Sequence, residues 1–335
     1  MEHITFGKTG LRVGRTGFGC IPIQRISYEE STALLRRAHE YGVTVFDTAN
    51  GYTTSEERIG IAFKGMREQV VLCTKSGAKT PGDLMTHLDN SLKMMGTDYV
   101  DVFQFHNPGS VPAPGSADGL YDAVLAARAQ GKVRHIGISA HKREVAEEAV
   151  KSGHFAVLQF PFSYLSTQEE MALANLCRAH DVGILGMKAL CGGILTNAKA
   201  AFAFLRQYEN IVPIWGMQEM AQLEEIVGYE KNPPPLDGAL RAVIDADRKE
   251  LAGQFCRACG YCLPCPAEIP IPMAARMSFL LGRMRRDVLQ GEMWQGNMRK
   301  IDHCTDCGHC KAHCPYTLDV PTLLKRQQEA YFKQL

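Results

Sequence analysis

The sequence predicts an α/β protein in which a closed (β/α)₈ barrel of parallel strands is followed by a smaller helical domain. Short β-rich runs alternate with longer helical patterns from Gly17 to about Tyr229. Eight such runs, with a helix after nearly every one, are the number that closes a parallel barrel. Eight of the twelve cysteines lie in two tight groups after residue 255, which indicates a separate metal-binding domain.

The length, composition and charge of the sequence limit the number of domains and the kinds of partner that we expect. The 335 residues are 45% hydrophobic and 22% charged, which suffices for one large domain and one small one. The formal net charge is +1, so no overall field attracts nucleic acid or a membrane, and neither is expected as a partner. The first residues lack the basic and apolar segments of a signal peptide, and no apolar run is long enough to cross a bilayer. We therefore expect a cytoplasmic protein whose clustered cysteines bind metal.

A short hairpin comes first in the predicted order of elements. The segment HITFGKTGLRV contains two β runs around Lys8-Thr9-Gly10, and we expect it to plug the bottom of the barrel. The strands follow as GFGC, TVFDT, VVLCTK, YVDVFQFH, VRHIGIS, AVLQF, GILGMK and IVPIW. The helices between them include YEESTALLRRAHEYG, ADGLYDAVLAARAQG and QEEMALANLCRAHD.

An open, doubly wound sheet is the alternative architecture. It would usually have fewer strands and a glycine-rich dinucleotide fingerprint, but Gly17-Phe18-Gly19 lacks the third glycine. Any nucleotide must therefore be held in another way. The run Asn232-Pro233-Pro234-Pro235 ends the last barrel helix, so we assign residues 1–232 to the barrel domain. Residues 233–335 then form a linker helix and the second domain.

Four polar residues fall at the ends of three consecutive strands. Asp47 ends the second strand, Tyr52 follows in the same loop, Lys75 ends the third strand and His106 the fourth. Catalytic groups of such barrels come from the carboxyl ends of different strands, so the four should meet at the mouth. A tyrosine titrates near about 10 in isolation, and a neighbouring lysine favours its phenolate. Asp47 can orient that lysine, and the histidine can donate to a carbonyl oxygen.

These residues resemble the aldo-keto reductase family. The matching segments are FDTANGYTTSEERIG, VVLCTKSG, YVDVFQFHNP, KVRHIGIS and MKALCGGIL, which span almost the whole barrel. The resemblance implies a TIM barrel and a catalytic tetrad of Asp47, Tyr52, Lys75 and His106. It also implies that Tyr52 donates a proton while a nicotinamide delivers a hydride to the carbonyl carbon. A small carbonyl compound, or an alcohol in the reverse direction, is then the substrate.

The same resemblance implies a set of cofactor contacts. Ser139 and Gln159 would contact the nicotinamide amide. Loops after the seventh and eighth strands would hold the phosphates and adenosine, through Gly192, Gly193, Gly216, Met217, Gln222 and Glu225. Ala140 replaces the asparagine that usually follows the serine, and Gln218 replaces an arginine that NADP-preferring members often carry. NAD, NADP and the absence of a nicotinamide all stay open.

The cysteines form two runs of four. They are Cys256-x₂-Cys259-x₂-Cys262-x₂-Cys265-Pro266 and Cys304-x₂-Cys307-x₂-Cys310-x₃-Cys314-Pro315. The second matches the bacterial ferredoxin run, in which the fourth cysteine ligates the other cluster. Applied here, that rule predicts two [4Fe–4S] clusters, one bound by Cys256, Cys259, Cys262 and Cys314. The other would be bound by Cys304, Cys307, Cys310 and Cys265. The first run is one residue short, and two structural zinc sites are the alternative.

The helix-prone stretch between the runs predicts an α-helical ferredoxin-like domain. The two clusters in such a domain could have several functions. The clusters can pass single electrons to or from a ferredoxin or another carrier, or they can be structural. In a second arrangement a flavin, the usual converter between hydride and single-electron transfer, binds within the barrel. In a third, the clusters pass electrons directly to the substrate and Tyr52 donates the proton. Arg283, Arg285 and Arg286 are candidates for docking an acidic ferredoxin, although a solvated helix face also explains them. The competing class is a non-catalytic redox sensor or electron-transfer protein that binds nucleotide.

Overall fold

A small hairpin closes one end of the barrel. Its strands β1 (His3–Thr5) and β2 (Arg12–Gly14) pair antiparallel, as predicted. Between them Phe6 is buried in a cluster with valines of the barrel strands. Gly7 has φ +52°, and a Cβ there would lie 2.3 Å from the backbone nitrogen of Gly183, the first residue of a barrel strand. The hairpin therefore covers the amino ends of the strands.

The eight predicted strands close into a parallel barrel in which the last strand pairs with the first. This confirms the predicted fold class over the open sheet. The computed structural model describes residues 1–251, 255–281 and 289–334. The barrel strands are β3 (Gly17–Gly19), β4 (Val45–Asp47), β5 (Val71–Ser76), β6 (Val100–His106), β7 (Val133–Ser139), β8 (Val157–Pro161), β9 (Gly183–Met187) and β10 (Ile211–Gly216).

Helices follow the strands around the barrel. They are α1 (Tyr28–Glu40), α2 (Ser55–Ala62), α3 (Pro81–Met95), α4 (Leu120–Ala129), α5 (Arg143–Ser152), α6 (Gln168–Ala179), α7 (Ala198–Leu205) and α8 (Met220–Lys231). α1 begins with a capping box in which Ser27 and Glu30 satisfy each other's backbone N–H groups. α8 ends at Lys231, directly before the segment that contains the three prolines.

The barrel interior is a packed apolar core rather than a channel. Buried residues from most strands meet there with two residues of the hairpin: Phe6, Val13, Val45, Val71, Cys73, Val102, Val157, Leu185, Val212 and Ile214. Interior side chains of this kind fill a barrel of eight strands. Polar chemistry is consequently left to the mouth, where the strands end.

The chain divides into two compact units. The first comprises Met1–Leu190 and Asn197–Ile244, and the second comprises Cys191–Thr196 and the described residues from Asp245 onward. The prolines are followed by α9 (Gly238–Glu250). The second unit continues with α10 (Ile271–Ala274), α11 (Met277–Leu281), α12 (Glu292–Arg299), α13 (His309–Ala312) and α14 (Val320–Gln334).

The second unit is helical in its described part, which confirms the predicted α-helical domain. Its core includes Ile271, Met277, Met298, Leu324 and Tyr331. The last helix, α14, was not predicted, although the spacing of its buried Leu324, Gln327 and Tyr331 is helical. Arg283, Arg285 and Arg286 lie outside the described residues. None of the described helices is long and apolar enough to span a membrane.

Candidate active site and cysteine cavities

The four predicted catalytic residues come from neighbouring elements at the barrel mouth. Asp47 is the last residue of β4, His106 the last of β6, and Lys75 lies near the end of β5. Tyr52 lies in the segment between β4 and α2. Asn50 in that segment donates its backbone N–H to the carbonyl of Lys75 at 3.0 Å, which holds the loop beside β5. Parallel pairing thus brings the four positions to one end of the barrel.

Lys75 and Asp47 form a buried ion pair. The Lys75 Nζ lies 2.7 Å from Asp47 Oδ2, and the two side chains are only 1% and 4% exposed. The lysine also donates to the carbonyl of Thr48 at 2.6 Å. Burial alone would lower the pKa of Lys75, but the charge and hydrogen bond of Asp47, together with Tyr52 and Cys73, outweigh it and raise that pKa. The lysine therefore stays positively charged.

Two glutamines complete the environment of Asp47. Gln104 donates its Nε2 to Oδ1 at 3.2 Å, and Gln159 donates its Nε2 to Oδ2 at 3.1 Å. Gln104 was not predicted as a site residue. Because it stands two positions before His106 on β6, the alternation of strand side chains places both on the same side, and that signal could have found it.

The ring of Tyr52 lies near both Lys75 and His106. The Lys75 Nζ is 5.2 Å from the centroid of the tyrosine ring, and the His106 ring meets it edge-on with centroids 6.1 Å apart. Burial raises the pKa of Tyr52, and the opposing effect of Lys75 does not cancel it. The tyrosine therefore carries its proton at neutral pH, while Lys75 remains the group that lowers the cost of releasing it.

His106 is held in its neutral form. Burial, followed by the positive charge of Lys75, lowers its pKa to about 3. A neutral imidazole has one N–H group and can donate one hydrogen bond. At the mouth, His106 can thus donate to an uncharged oxygen without carrying a charge of its own.

Ser139 and Gln159 are neighbours in register at the ends of β7 and β8. Ser139 Oγ accepts from the backbone N–H of Asn107 at 3.1 Å. Gln159 Oε1 is buried and has no hydrogen-bond partner among the described residues. An unpaired buried acceptor costs about 1–3 kcal/mol, so a ligand that donates to it gains affinity. A carboxamide N–H₂ fits this acceptor.

The other proposed cofactor positions are engaged differently. Gln222 accepts from the backbone N–H groups of Gln218 and Glu219 and so caps α8, while Glu225 accepts from the Tyr229 hydroxyl. Met217 is buried. Gly216 ends β10 and is exposed. Gly192 and Gly193 have φ values of +68° and +90° within the segment Cys191–Thr196 of the second unit.

Three of the four isolated cysteines, Cys20, Cys73 and Cys177, are not activated. Cys20 is buried next to the site, and its backbone N–H donates to the carbonyl of Asp47 at 2.8 Å. Burial and the Asp47 charge raise its pKa well above the usual range. Burial also raises the pKa of Cys73 well above that range, and that of Cys177 to about 12. These thiols are neutral packing groups rather than nucleophiles.

The eight clustered cysteines line two cavities in the second unit. Cavity A is lined by Cys256, Cys259, Cys262 and Cys314. Cavity B is lined by Cys265, Cys304, Cys307 and Cys310, with Cys262 in the shared wall. Apart from this shared cysteine, each cavity is lined by three cysteines of one run and the last cysteine of the other.

The surroundings of the cavities suit iron–sulfur clusters. Cavity A is otherwise walled largely by apolar side chains, among them Ile271, Leu318 and Leu323. The backbone N–H of Ala258 donates to Cys256 Sγ at 3.4 Å, a contact that stabilises sulfur carrying negative charge. Within the described residues, no three cysteine, histidine or carboxylate side chains converge as the ligands of a single metal ion would.

Two family models match the chain. Residues 10–202 match the aldo/keto reductase family, and residues 255–319 match a 4Fe-4S dicluster domain. Among curated proteins, the aldo-keto reductase YhdN of Bacillus subtilis is 30% identical over 220 residues, which cover 59% of this chain and 64% of that protein. The L-glyceraldehyde 3-phosphate reductase of Escherichia coli K12 is 29% identical over 228 residues, covering 59% and 64%. Both matches span less than two thirds of the relative.

Solved structures show the same barrel. An aldo-keto reductase from Bacillus halodurans, in its holo form, superposes with a TM-score of 0.63 at 20% identity, covering 74% of this chain and 96% of that one. A putative aldo-keto reductase from Pseudomonas aeruginosa gives a TM-score of 0.61 at 26% identity, covering 67% and 92%. The barrel with its buried Lys75–Asp47 pair, together with these matches, shows that the chain belongs to the aldo/keto reductase family and carries a C-terminal 4Fe–4S dicluster domain.

Proposed function

We propose that the protein is a nicotinamide-dependent oxidoreductase that reduces a small carbonyl compound, or oxidises the corresponding alcohol, with Tyr52 as general acid and base. The observation that carries this proposal is the buried Lys75–Asp47 pair beside Tyr52 and His106 at the barrel mouth. Burying an ion pair costs desolvation free energy. Here the pair lies beside Tyr52, a titratable group at the barrel mouth, and such groups with shifted pKa values are typical of active sites.

The proton step follows from the charges of the four residues. Neutral His106 donates a hydrogen bond to the carbonyl oxygen and orients it. Tyr52 then gives its proton to that oxygen as negative charge develops there, and Lys75 stabilises the phenolate that remains. Asp47 keeps the lysine charged and in place. In alcohol oxidation the same residues act in reverse, with the tyrosine as base.

A bound nicotinamide would supply the hydride that the carbonyl carbon accepts, so that two electrons and one proton complete the reduction. We assign its carboxamide to Ser139 and to the unpaired Gln159 Oε1. The remaining nucleotide contacts are assigned to Gly192, Gly193, Gly216, Met217, Gln222 and Glu225. Gln218, where an arginine would favour a 2′-phosphate, makes NAD as acceptable as NADP.

We assign the clusters to residues 233–335, with one [4Fe–4S] in each cavity. Each cavity is lined by cysteines of both runs, which supports the proposal that the last cysteine of each run ligates the cluster bound mainly by the other run. The clusters would pass single electrons to or from a carrier such as a ferredoxin. The barrel domain of residues 1–232 would carry out the carbonyl chemistry.

The first test uses full-length protein purified without oxygen. We expect about eight iron atoms per chain and no stoichiometric zinc. The visible spectrum is then recorded after NADH, NADPH and dithionite in turn. Bleaching by a nicotinamide supports electron exchange between the two sites, and a flavin would appear as its own absorbance bands. Zinc in place of iron would refute the assignment of the second domain.

The second test replaces Tyr52 by phenylalanine. We expect turnover of a panel of small aldehydes and ketones to fall by about 10²–10⁴-fold, because the proton donor is lost. Nucleotide binding, measured by isothermal titration calorimetry, should persist. Tyr41→Phe at the end of α1 is the matched control and should keep its activity. A Tyr52→Phe protein with wild-type turnover would contradict the proposed mechanism.

A further inference from the structure

The two cysteine loops share one backbone conformation. In each, the residue before the second cysteine and the glycine after it have left-handed φ values: +52° at Ala258 and +85° at Gly260, against +51° at Asp306 and +75° at Gly308. The loops are therefore structural repeats, and residues at matching positions can be compared directly. The position before the third cysteine holds Tyr261 in the first loop and His309 in the second.

His309 is one of the residues that line cavity B. Its Nε2 is shielded from solvent and has no hydrogen-bond partner among the described residues. Buried polar atoms of side chains nearly always have a partner, because an unpaired one loses its hydration without compensation. An unpaired, shielded ring nitrogen on a residue that lines the cavity therefore points to a partner that occupies the cavity.

The ring of His309 is braced by the next turn of the chain. The rings of His309 and His313 are in contact, with centroids 4.1 Å apart and planes tilted by 32°. His313 in turn donates its Nδ1–H to the carbonyl of His309 at 2.8 Å, which fixes its own orientation. The orientation of the His309 ring is thus set by residues outside the cavity.

We propose that His309 donates a hydrogen bond from Nε2–H to a sulfur of the cluster held in cavity B and thereby raises the reduction potential of that cluster. This inference rests on the proposed function, which places a [4Fe–4S] cluster there. Four cysteines line the cavity besides the shared Cys262, so the ligand set is complete and the imidazole is left as a donor. A cluster that gains one electron carries more negative charge on its sulfurs. A donor stabilises that reduced form more than the oxidised one.

The hydrogen bond makes the two clusters unequal. The matching residue of the first loop is a tyrosine, and Tyr261 is absent from the lining of cavity A among the described residues. The first loop therefore supplies no equivalent imidazole, and the cluster in cavity B accepts an electron from a carrier more readily than it would without His309.

The test is a redox titration of the full-length protein without oxygen, followed by electron paramagnetic resonance. His309→Phe keeps an aromatic ring that can stack on His313 but has no N–H group. We expect one of the two midpoint potentials to fall and the other to stay, at unchanged iron content. His309→Gln, whose amide can donate, should recover part of the shift. Unchanged potentials in His309→Phe would overturn the inference.

His303→Phe is the matched control. His303 also stands directly before a cluster cysteine, Cys304, but it is exposed and is not part of the cavity B lining. It should leave both potentials in place, as should Tyr261→Phe. An equal shift in His303→Phe would mean that any nearby imidazole suffices, which would overturn a specific hydrogen bond.

A measurement on the wild-type protein decides the matter if His309→Phe loses iron. With ¹⁵N-labelled histidine, pulsed electron paramagnetic resonance of the reduced protein should show a weak nitrogen coupling. No coupling, or the strong coupling of a nitrogen that ligates iron, would overturn the proposal. Failure of the proposed function is distinguishable, because wild-type protein would then lack the two clusters altogether.

Discussion

At the scale of single residues, the site depends on the balance between burial and nearby charge. Asp47 and Lys75 neutralise each other in an environment that excludes water, and their spare hydrogen-bonding capacity is satisfied by Thr48, Gln104 and Gln159. Tyr52 and His106 are both held in their neutral forms by burial. One fixed cation beside two neutral donors is suited to receive negative charge as it forms on a substrate oxygen.

Replacement of Lys75 by methionine tests this balance. We expect turnover to fall by about 10²–10⁴-fold, since the phenolate of Tyr52 loses its cation. The free energy of unfolding should fall by about 3–5 kcal/mol, because the Asp47 charge is left buried and unpaired. Urea unfolding measures the second effect. The double variant with Asp47→Asn should regain stability but not turnover, and equal stability of the single and double variants would contradict the ion-pair account.

The pH dependence of carbonyl reduction follows from the pKa shifts of Tyr52 and His106. Reduction requires protonated Tyr52, so activity is present below the tyrosine pKa and lost above it. Because burial raises the pKa of Tyr52, kcat/KM should hold through neutrality and fall only above about 10. Because the pKa of His106 is lowered to about 3, no histidine limb should appear near pH 6.5. A loss of kcat/KM between pH 7 and 6, absent in His106→Gln, would refute a neutral His106.

At the scale of elements, the barrel depends on close contact between the hairpin and the strand ends. Phe6 fills the interior, and a Cβ at Gly183 would lie 2.8 Å from its ring. The backbone N–H of Lys8 donates to the carbonyl of Asp181 at 2.7 Å, just before β9. The hairpin is therefore part of the barrel core rather than an accessory.

Two glycines of the hairpin give a matched comparison. Gly7 and Gly10 both have positive φ, at +52° and +71°, but a Cβ added at Gly7 would lie 2.3 Å from the backbone nitrogen of Gly183, whereas one added at Gly10 would meet nothing within 4 Å. Gly10→Ala should lower the free energy of unfolding by the conformational cost alone, about 1–2 kcal/mol. Gly7→Ala should cost about 1–3 kcal/mol more, because its Cβ would overlap the β9 backbone. Chemical unfolding followed by circular dichroism measures the free energy of unfolding of both variants. An equal loss in the two would show that Gly7 is not in close contact with the β9 backbone.

At the scale of the whole molecule, the two units differ in the size of their cores. The barrel buries a large core built from strands and helices. In its described part, the second unit packs helices around a smaller core, with cysteines of both runs in and beside it. Metal binding contributes folding free energy to metal-binding domains, so we expect the bound clusters to stabilise the second unit.

Removal of iron tests whether the clusters stabilise the second unit. A chelator applied to the oxidised protein should abolish part of the helical circular dichroism and expose the C-terminal unit to trypsin, while a barrel fragment resists digestion. Cys307→Ser should lose part of the helical circular dichroism and become more sensitive to trypsin even without chelator. Cys177→Ala, which replaces a cysteine outside both runs, should match wild type in both measurements. Full helicity after complete iron loss would show that the clusters do not hold the second unit together.

Sequence periodicity was enough to predict the eight strands, because each strand of a parallel barrel is a short apolar run between turns. Placement of Asp47, Lys75 and His106 at strand ends also follows from the sequence, since parallel strands all end at one face. The roles assigned to these residues, to the nucleotide contacts and to the cluster ligands stay predictions until the experiments above are made.

The order and type of the barrel elements, the helical nature of the second domain and the candidate reactive groups can all be predicted from the amino-acid sequence, because they depend on local pattern and spacing. The partners of Asp47, the protonated state of Tyr52, the neutrality of His106 and the unpaired nitrogen of His309 are visible in the folded protein alone. Each of these depends on burial and on groups distant in the chain. Burial and long-range contact arise only when the strands and loops have been brought together.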